Sequence, residues 1–245
     1  MLIIRHIDPA SVTDPDQLAN LASWLNEEEA TRMHRFVQPR HQHAFLVSHA
    51  LTRAVLAKAL GCQPKQIRYG KTGRDKPTLL SEIGQASHIH FNLSHTEGLA
   101  AIAVSTEPVG LDVEWLARSQ QTLDLAQRYF TATEHADILK QPAWARMRRF
   151  LTYWTLKEAY LKAEAWGIVD SLDGFEFLLS EAPLAGPTDI TLRIRTPKLS
   201  PSRPWRFWHS QPSPSHLLSL AFVSDMAPTC QIDCRAWLPD EWLFN

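Results

Sequence analysis

The order of elements repeats along this chain, and that repeat limits its folds more than any single motif. "HQHAFLVSHALTRAVLAKAL" (41–60) reads as a helix stopped by Gly61. A strand around "QIRYG" follows, then a loop, then "HIHFNLSHTEGLAAIAVS" (88–105), which reads as strand, turn, strand. The second half offers "ARMRRFLTYWTLKEAYLKAEAW" (145–166) stopped by Gly167, then "DGFEFLLS", "ITLRIRT" and a strand, loop and strand over "WRFWHSQPSPSHLLSLAFVS" (205–224). Identity between the halves is negligible, so the duplication is one of pattern. The junction is expected near "STEPVG" (105–110), where Pro108 and Gly110 break the strand pattern. Helices followed by runs of strands favour an α+β fold over a doubly wound parallel sheet. The expected division is 1–106 and 107–245.

At 245 residues the chain has room for one large domain or two of about 100 to 120 residues. A 44% hydrophobic and 21% charged composition is that of a globular protein. The net charge of −1 supplies no global field for nucleic acid or membrane. Cys62, Cys230 and Cys234 form no even framework and no CxxC pair, which favours a reducing compartment. The apolar run in "MLIIRHIDPA" is too short for a signal peptide, so a cytoplasmic location is expected.

The second long helix carries a charge in an awkward place. At 100° per residue, Met147, Phe150, Leu151, Trp154 and Leu161 fall within an arc of roughly 100°. Glu158 projects inside that arc, and Lys162 lies one turn further along the same side. Lys157 also falls near the apolar side, where its long stem could carry the charge out to water. A glutamate has no such reach. Pairing with Arg148, Lys162 or another base is one explanation for it.

A second acidic feature offers another. In "VGLDVEWL" (109–116), Asp112 and Glu114 alternate with Leu111, Val113 and Trp115, so in a strand both carboxylates point to one side. Such a pair repels itself unless water or a cation intervenes. A solvent-exposed strand face is the plain reading. The alternative is a site for a hard divalent ion such as Mg²⁺, which takes oxygen ligands. Glu158 would complete that set.

Ser94 and His95, in "FNLSHTEG" (91–98), sit at the start of the turn between two expected strands, where an anion could be held. A surface histidine is the simpler reading. Arg32 and Arg40 flank the start of the first long helix, and Lys71, Arg74 and Lys76 lie in "GKTGRDKP". Each is a solvated charge by default. That segment lacks the spacing of a Walker A loop.

Together, "FNLSHTEGLAAIAV", "PVGLDVEW" and "YWTLKEAYLK" resemble, in this order, the three signature blocks of the Sfp-type 4′-phosphopantetheinyl transferases. The upstream "EEEATRMHRFVQPRHQHAFLVSHALTRAVLAKALG" and "IRYGKTGRDKPTL" are similar to that family's N-terminal half, so the resemblance spans about residues 25 to 180. It implies an α+β pseudo-dimer of two similar subdomains, with the active site at the seam between them. It also implies transfer of 4′-phosphopantetheine from coenzyme A to a serine hydroxyl of an acyl or peptidyl carrier protein, with release of adenosine 3′,5′-bisphosphate. Asp112, Glu114 and Glu158 would be the Mg²⁺ ligands, with Glu158 also a candidate base, directly or through water. Ser94 and His95 would hold the 3′-phosphate with Arg40 and Arg32. Lys71 or Lys76 would complete that grip, and Lys162 would contact the pyrophosphate. Catalysis would then rest on Glu158, Lys162 and His95. Glu29 departs from the pattern, standing where some relatives carry a base, and "AEAWGI" replaces a more glycine-rich turn.

Two other functions use the same residues. A metal-dependent nucleotide phosphoesterase would employ the three carboxylates to activate water. A non-catalytic carrier-protein or nucleotide-binding module would need none of them, and their presence argues against it. An internal pseudo-dimer makes a monomer the expected state. Arg146, Arg148 and Arg149 are candidate contacts for an acidic carrier protein.

Overall fold

The computed structural model describes residues 2–71, 77–80, 88–117, 124–166, 172–180, 189–196, 201, 203–223 and 232–244. They form two compact units, one of residues 1–106 with 231–245, the other of residues 107–230.

The first unit opens with strand β1 (Leu2–Ile7), followed by helices α1 (Pro15–Ala22), α2 (Glu27–His34) and α3 (Pro39–Leu60). Hairpin β2 (Arg68–Lys71) and β3 (Pro77–Leu80) comes next, then β4 (His90–Thr96) and β5 (Leu99–Ser105). β1 pairs antiparallel with β5, and β5 antiparallel with β4. The turn of that hairpin uses Gly98 at φ +74°, a conformation that costs glycine little. Pro39 occupies the first turn of α3, where its missing N–H costs nothing, and Gly61 ends the helix at φ +67°. Every residue from Ala50 to Ala57 is buried. α3 is therefore a core rod, apolar nearly all round, packed on β5 and wrapped by α1 and α2.

The second unit begins with β6 (Val109–Trp115) and helices α4 (Asp124–Tyr129), α5 (Ala132–Lys140) and α6 (Ala143–Glu164). Hairpin β7 (Phe175–Leu179) and β8 (Ile190–Ile194) follows, then β9 (Trp205–Ser213) and β10 (His216–Val223). The sheet order is β6-β10-β9, all antiparallel. Each unit thus has a first strand, a 22-residue helix, a hairpin, and two further strands whose sheet runs first–last–next-to-last. The duplication expected from the sequence is present as topology, and the α+β class holds.

Two details differ from expectation. The last strand, β11 (Ile232–Ala236), was assigned with the second half, but it pairs parallel with β1 and extends the first sheet to β11-β1-β5-β4. It covers the edge of β1 opposite β5 and so satisfies backbone groups that would otherwise face solvent. The second long helix ends at Glu164, with Ala165 in the left-handed region at φ +56°. Gly167, the stop read from sequence, lies outside the described residues. Ala165 donates its backbone N–H to Lys162 and Trp166 donates to Leu161, closing the last turn in the manner a glycine usually serves.

Candidate functional site

Gly110 fixes where α6 lies on β6. A Cβ there would overlap the carbonyl oxygen of Ala159 and stand 2.5 Å from the backbone nitrogen of Ala163. Only glycine on the strand, facing alanines on the helix, lets the two backbones approach this closely. The close approach brings the acidic strand and the charged helix face together.

Asp112 and Glu114 are each 6% exposed and Glu158 is 5% exposed. The exposed-strand reading of Asp112 and Glu114 therefore fails: β6 is buried from Val109 to Glu114 on both faces. Lys162 Nζ donates to Asp112 Oδ1 at 2.7 Å and to the Leu111 carbonyl at 3.3 Å. Lys162 is thus paired with Asp112 in this structure. Glu158 Oε1 is buried and accepts no hydrogen bond from the described residues. Its carboxyl is pushed up to about 7, first by burial and then by the Asp112 charge, with Lys162 acting against the rise. Among the described residues, no three His, Cys, Asp or Glu side chains are already gathered as a metal cage.

A divalent cation nevertheless fits the donors on chemical grounds. Glu158 is a buried acid whose oxygen lacks a donor and whose charge is disfavoured by a neighbouring carboxylate, the condition a hard cation relieves. Magnesium sites of this type use one or two carboxylates together with substrate phosphates, so a full protein cage is not required.

Lys157 corrects the sequence reading. Rather than carrying its charge to water, it is 0% exposed. Its ammonium bonds Glu134 at 2.9 Å and the carbonyls of Leu172 and Phe175 at 2.6 and 2.8 Å. Burial pushes the Glu134 carboxyl up and the Lys157 ammonium down, while each holds the other toward its charged form.

The first unit holds a cavity of about 600 Å³ lined by α2, α3, β2 and β4, among whose residues are Arg32, His49, Thr52, Tyr69, Phe91 and His95. Of the expected phosphate contacts, Arg32 and His95 stand on it. Ser94 and His95 lie inside strand β4 instead of at the start of a turn, so their side chains leave opposite faces. Ser94 is buried and does not line the cavity; His95 is exposed on it. Arg40 is exposed in the first turn of α3, and its Nε donates to Gln38 Oε1 at 2.8 Å. Lys71 ends β2, its backbone paired with Pro77, while Arg74 and Lys76 lie outside the described residues.

Sequence comparison now bears on these arrangements. Residues 108–222 match the model of the 4′-phosphopantetheinyl transferase superfamily, and residues 13–107 match that of the 4′-phosphopantetheinyl transferase N-terminal domain. The transferase HetI of Nostoc sp. is 36% identical over 165 residues, which are 67% of this chain and 69% of that protein. The chain belongs to the 4′-phosphopantetheinyl transferase family. Similarity extends to psf-1 of Bacillus pumilus, 31% identical over 166 residues (68% of this chain, 67% of that one). Sfp of Bacillus subtilis is 27% identical over 159 residues (65% and 68%). This transferase therefore carries Asp112, Glu114, Glu158 and Lys162 within the segment matched by the superfamily model, and its cavity within the N-terminal match.

Two features of the site were not read from the sequence. His49 is a polar residue in a mostly apolar helix, a pattern with no distinguishing mark. The buried Glu134–Lys157 pair did leave a signal: Thr131 and Glu134 form a capping box, which fixes a glutamate at the start of α5.

Proposed function

We propose that this transferase moves 4′-phosphopantetheine from coenzyme A to a serine hydroxyl of an apo acyl or peptidyl carrier protein, with Mg²⁺, releasing adenosine 3′,5′-bisphosphate. The observation that carries this reading is Glu158: a buried carboxylate whose Oε1 accepts no hydrogen bond from the described residues, beside an Asp112 held by Lys162. Asp112, Glu114 and Glu158 are the residues that would hold the metal. When bound, Mg²⁺ supplies charge neutralisation to the pyrophosphate oxygens.

The side chains of this chain do the rest. Lys162, poised on α6 and about a third exposed, offers its ammonium to phosphate oxygens as negative charge builds during attack. Glu158 would take the proton of the incoming serine hydroxyl, directly or through water. Arg32 and His95 present cationic or donor groups to the phosphate of the nucleotide end. Of the three arginines ahead of the site, Arg146 caps carbonyls of Leu139 and Gln141, Arg149 bonds Asp137, and Arg148 bonds Gln211. Arg148 alone of these is exposed, and it is the one suited to an acidic carrier surface.

The test is to incubate the protein with coenzyme A and Mg²⁺, with and without an apo carrier protein, and to follow adenosine 3′,5′-bisphosphate. Release that requires the carrier supports transfer. Release at the same rate without carrier would instead identify a phosphoesterase.

A further inference from the structure

Glu29 is a buried acid whose partners bear on the cavity of the first unit. It is the third residue of α2, in a capping box with Asn26, and is 7% exposed. Its Oε2 accepts from the Asn26 backbone at 3.0 Å and from Arg53 Nε at 2.8 Å. Its Oε1 lies 2.8 Å from His49 Nδ1. Burial raises the Glu29 carboxyl, but the hydrogen bonds from His49 and Arg53 outweigh it and hold the group below the usual range. Glu29 is therefore an ionised carboxylate with no proton to give, so His49 Nδ1 must be the donor.

That assignment decides what His49 shows to the cavity. With Nδ1–H pinned on Glu29 and the ring stacked on Phe45 at 3.9 Å, the imidazole cannot turn, and Nε2 is its other polar atom. Arg53, fully buried, is spent on Glu29 and on the Pro64 and Ile67 carbonyls, so its charge cancels that of the carboxylate. Glu29 therefore presents no net repulsion to an anion. His49 lines the same cavity as Arg32 and His95, and the other acid on that cavity, Glu28, is exposed to solvent. We infer that His49 is a phosphate-binding residue of this transferase, held by Glu29 so that its Nε2 hydrogen-bonds the 3′-phosphate of the nucleotide end. This rests on the coenzyme A reading above. Glu29 acts through the ring and is a positioning residue.

Two measurements on His49→Gln test the assignment. The first is calorimetric binding of adenosine 3′,5′-bisphosphate and of adenosine 5′-monophosphate, which needs no turnover. The wild-type protein is expected to prefer the bisphosphate. The variant is expected to lose about tenfold or more in bisphosphate affinity, the scale of one charge-assisted hydrogen bond, while monophosphate affinity changes less than twofold. The second is KM for coenzyme A against 3′-dephospho-coenzyme A with a fixed carrier: the first KM rises about tenfold, and the second holds. Equal losses on both ligands would make His49 a structural residue and overturn the assignment, as would an unchanged bisphosphate affinity. Wild-type protein that ignores the bisphosphate altogether would bring down the coenzyme A reading itself, and this inference with it.

Discussion

Ala165 and His209 each hold a state that their surroundings impose. A residue with a Cβ at φ +56° is strained by roughly 1 kcal/mol. Ala165→Gly is therefore expected to stabilise the protein by about 0.5–1 kcal/mol, seen as a higher midpoint in urea at unchanged slope. His209 sits with Nδ1 2.9 Å from Ser219 Oγ, which in turn lies 2.7 Å from Thr155 Oγ1. Burial, then the Arg148 and Arg149 charges, lower its pKa to about 4. An unfolded histidine protonates near 6.5, so the unfolded state binds the proton first. Stability is then intact above pH 6.5 and declines as pH falls toward 4, by at most about 3 kcal/mol. His209→Gln should flatten the urea midpoint over that window relative to wild type. A parallel decline in both proteins would show that the loss comes from other groups.

At the scale of elements, the contact between β6 and α6 brings Glu158 and Lys162 against Asp112. The helix carries Glu158 and Lys162, the strand carries Asp112 and Glu114, and Gly110 with Ala159 and Ala163 sets their separation. Gly110→Ala forces backbone against backbone, so it should cost about 3 kcal/mol or more and abolish transfer even in the fraction that folds. Thermal melting and activity per folded molecule check both parts; a stable, active variant would show that the helix can shift without disturbing the site. Glu158 was legible because it interrupts an apolar arc, and Asp112 and Glu114 because strand period puts them on one side. Lys157 was misread from the same pattern. Its partner, Glu134, lies 23 residues earlier on another helix, and helical periodicity carries no information about what packs against a face.

For the whole molecule, the repeat reaches individual side chains. Arg53 and Lys157 are both the fifteenth residue of a 22-residue helix, and both are fully buried. Each pairs with the glutamate of a capping box on the preceding helix, Glu29 or Glu134, and donates to two carbonyls beyond its own helix. One residue further on, the units diverge: Ala54 in the first, Glu158 in the second. At the twentieth position Lys162 binds Asp112, while Lys58 lies 4.7 Å over the ring of Trp237 and 3.7 Å from Glu241. The units share a buried ionic brace, and the second places Glu158 one residue after its lysine, near Asp112. Lys157→Met leaves Glu134 buried without its cation and should destabilise by about 3–5 kcal/mol, with Glu134→Gln restoring part of that loss. Denaturant titration of the single and double variants measures this. The duplication could be read in the sequence from element order alone. The return of β11 to β1 could not, since a terminal strand carries no mark of the edge it will cover.

The central claim is that Glu158 belongs to a transfer site and not to the structural brace beside it. Intact-mass spectrometry of an apo carrier protein incubated with coenzyme A, Mg²⁺ and either wild-type or Glu158→Ala protein tests it most directly. Wild type is expected to add one phosphopantetheine to the carrier. The variant should do so slower by about 10²–10³, with a melting temperature no lower than that of wild type, because a disfavoured buried carboxylate has been removed. Modification of the carrier at the wild-type rate by Glu158→Ala would contradict the account.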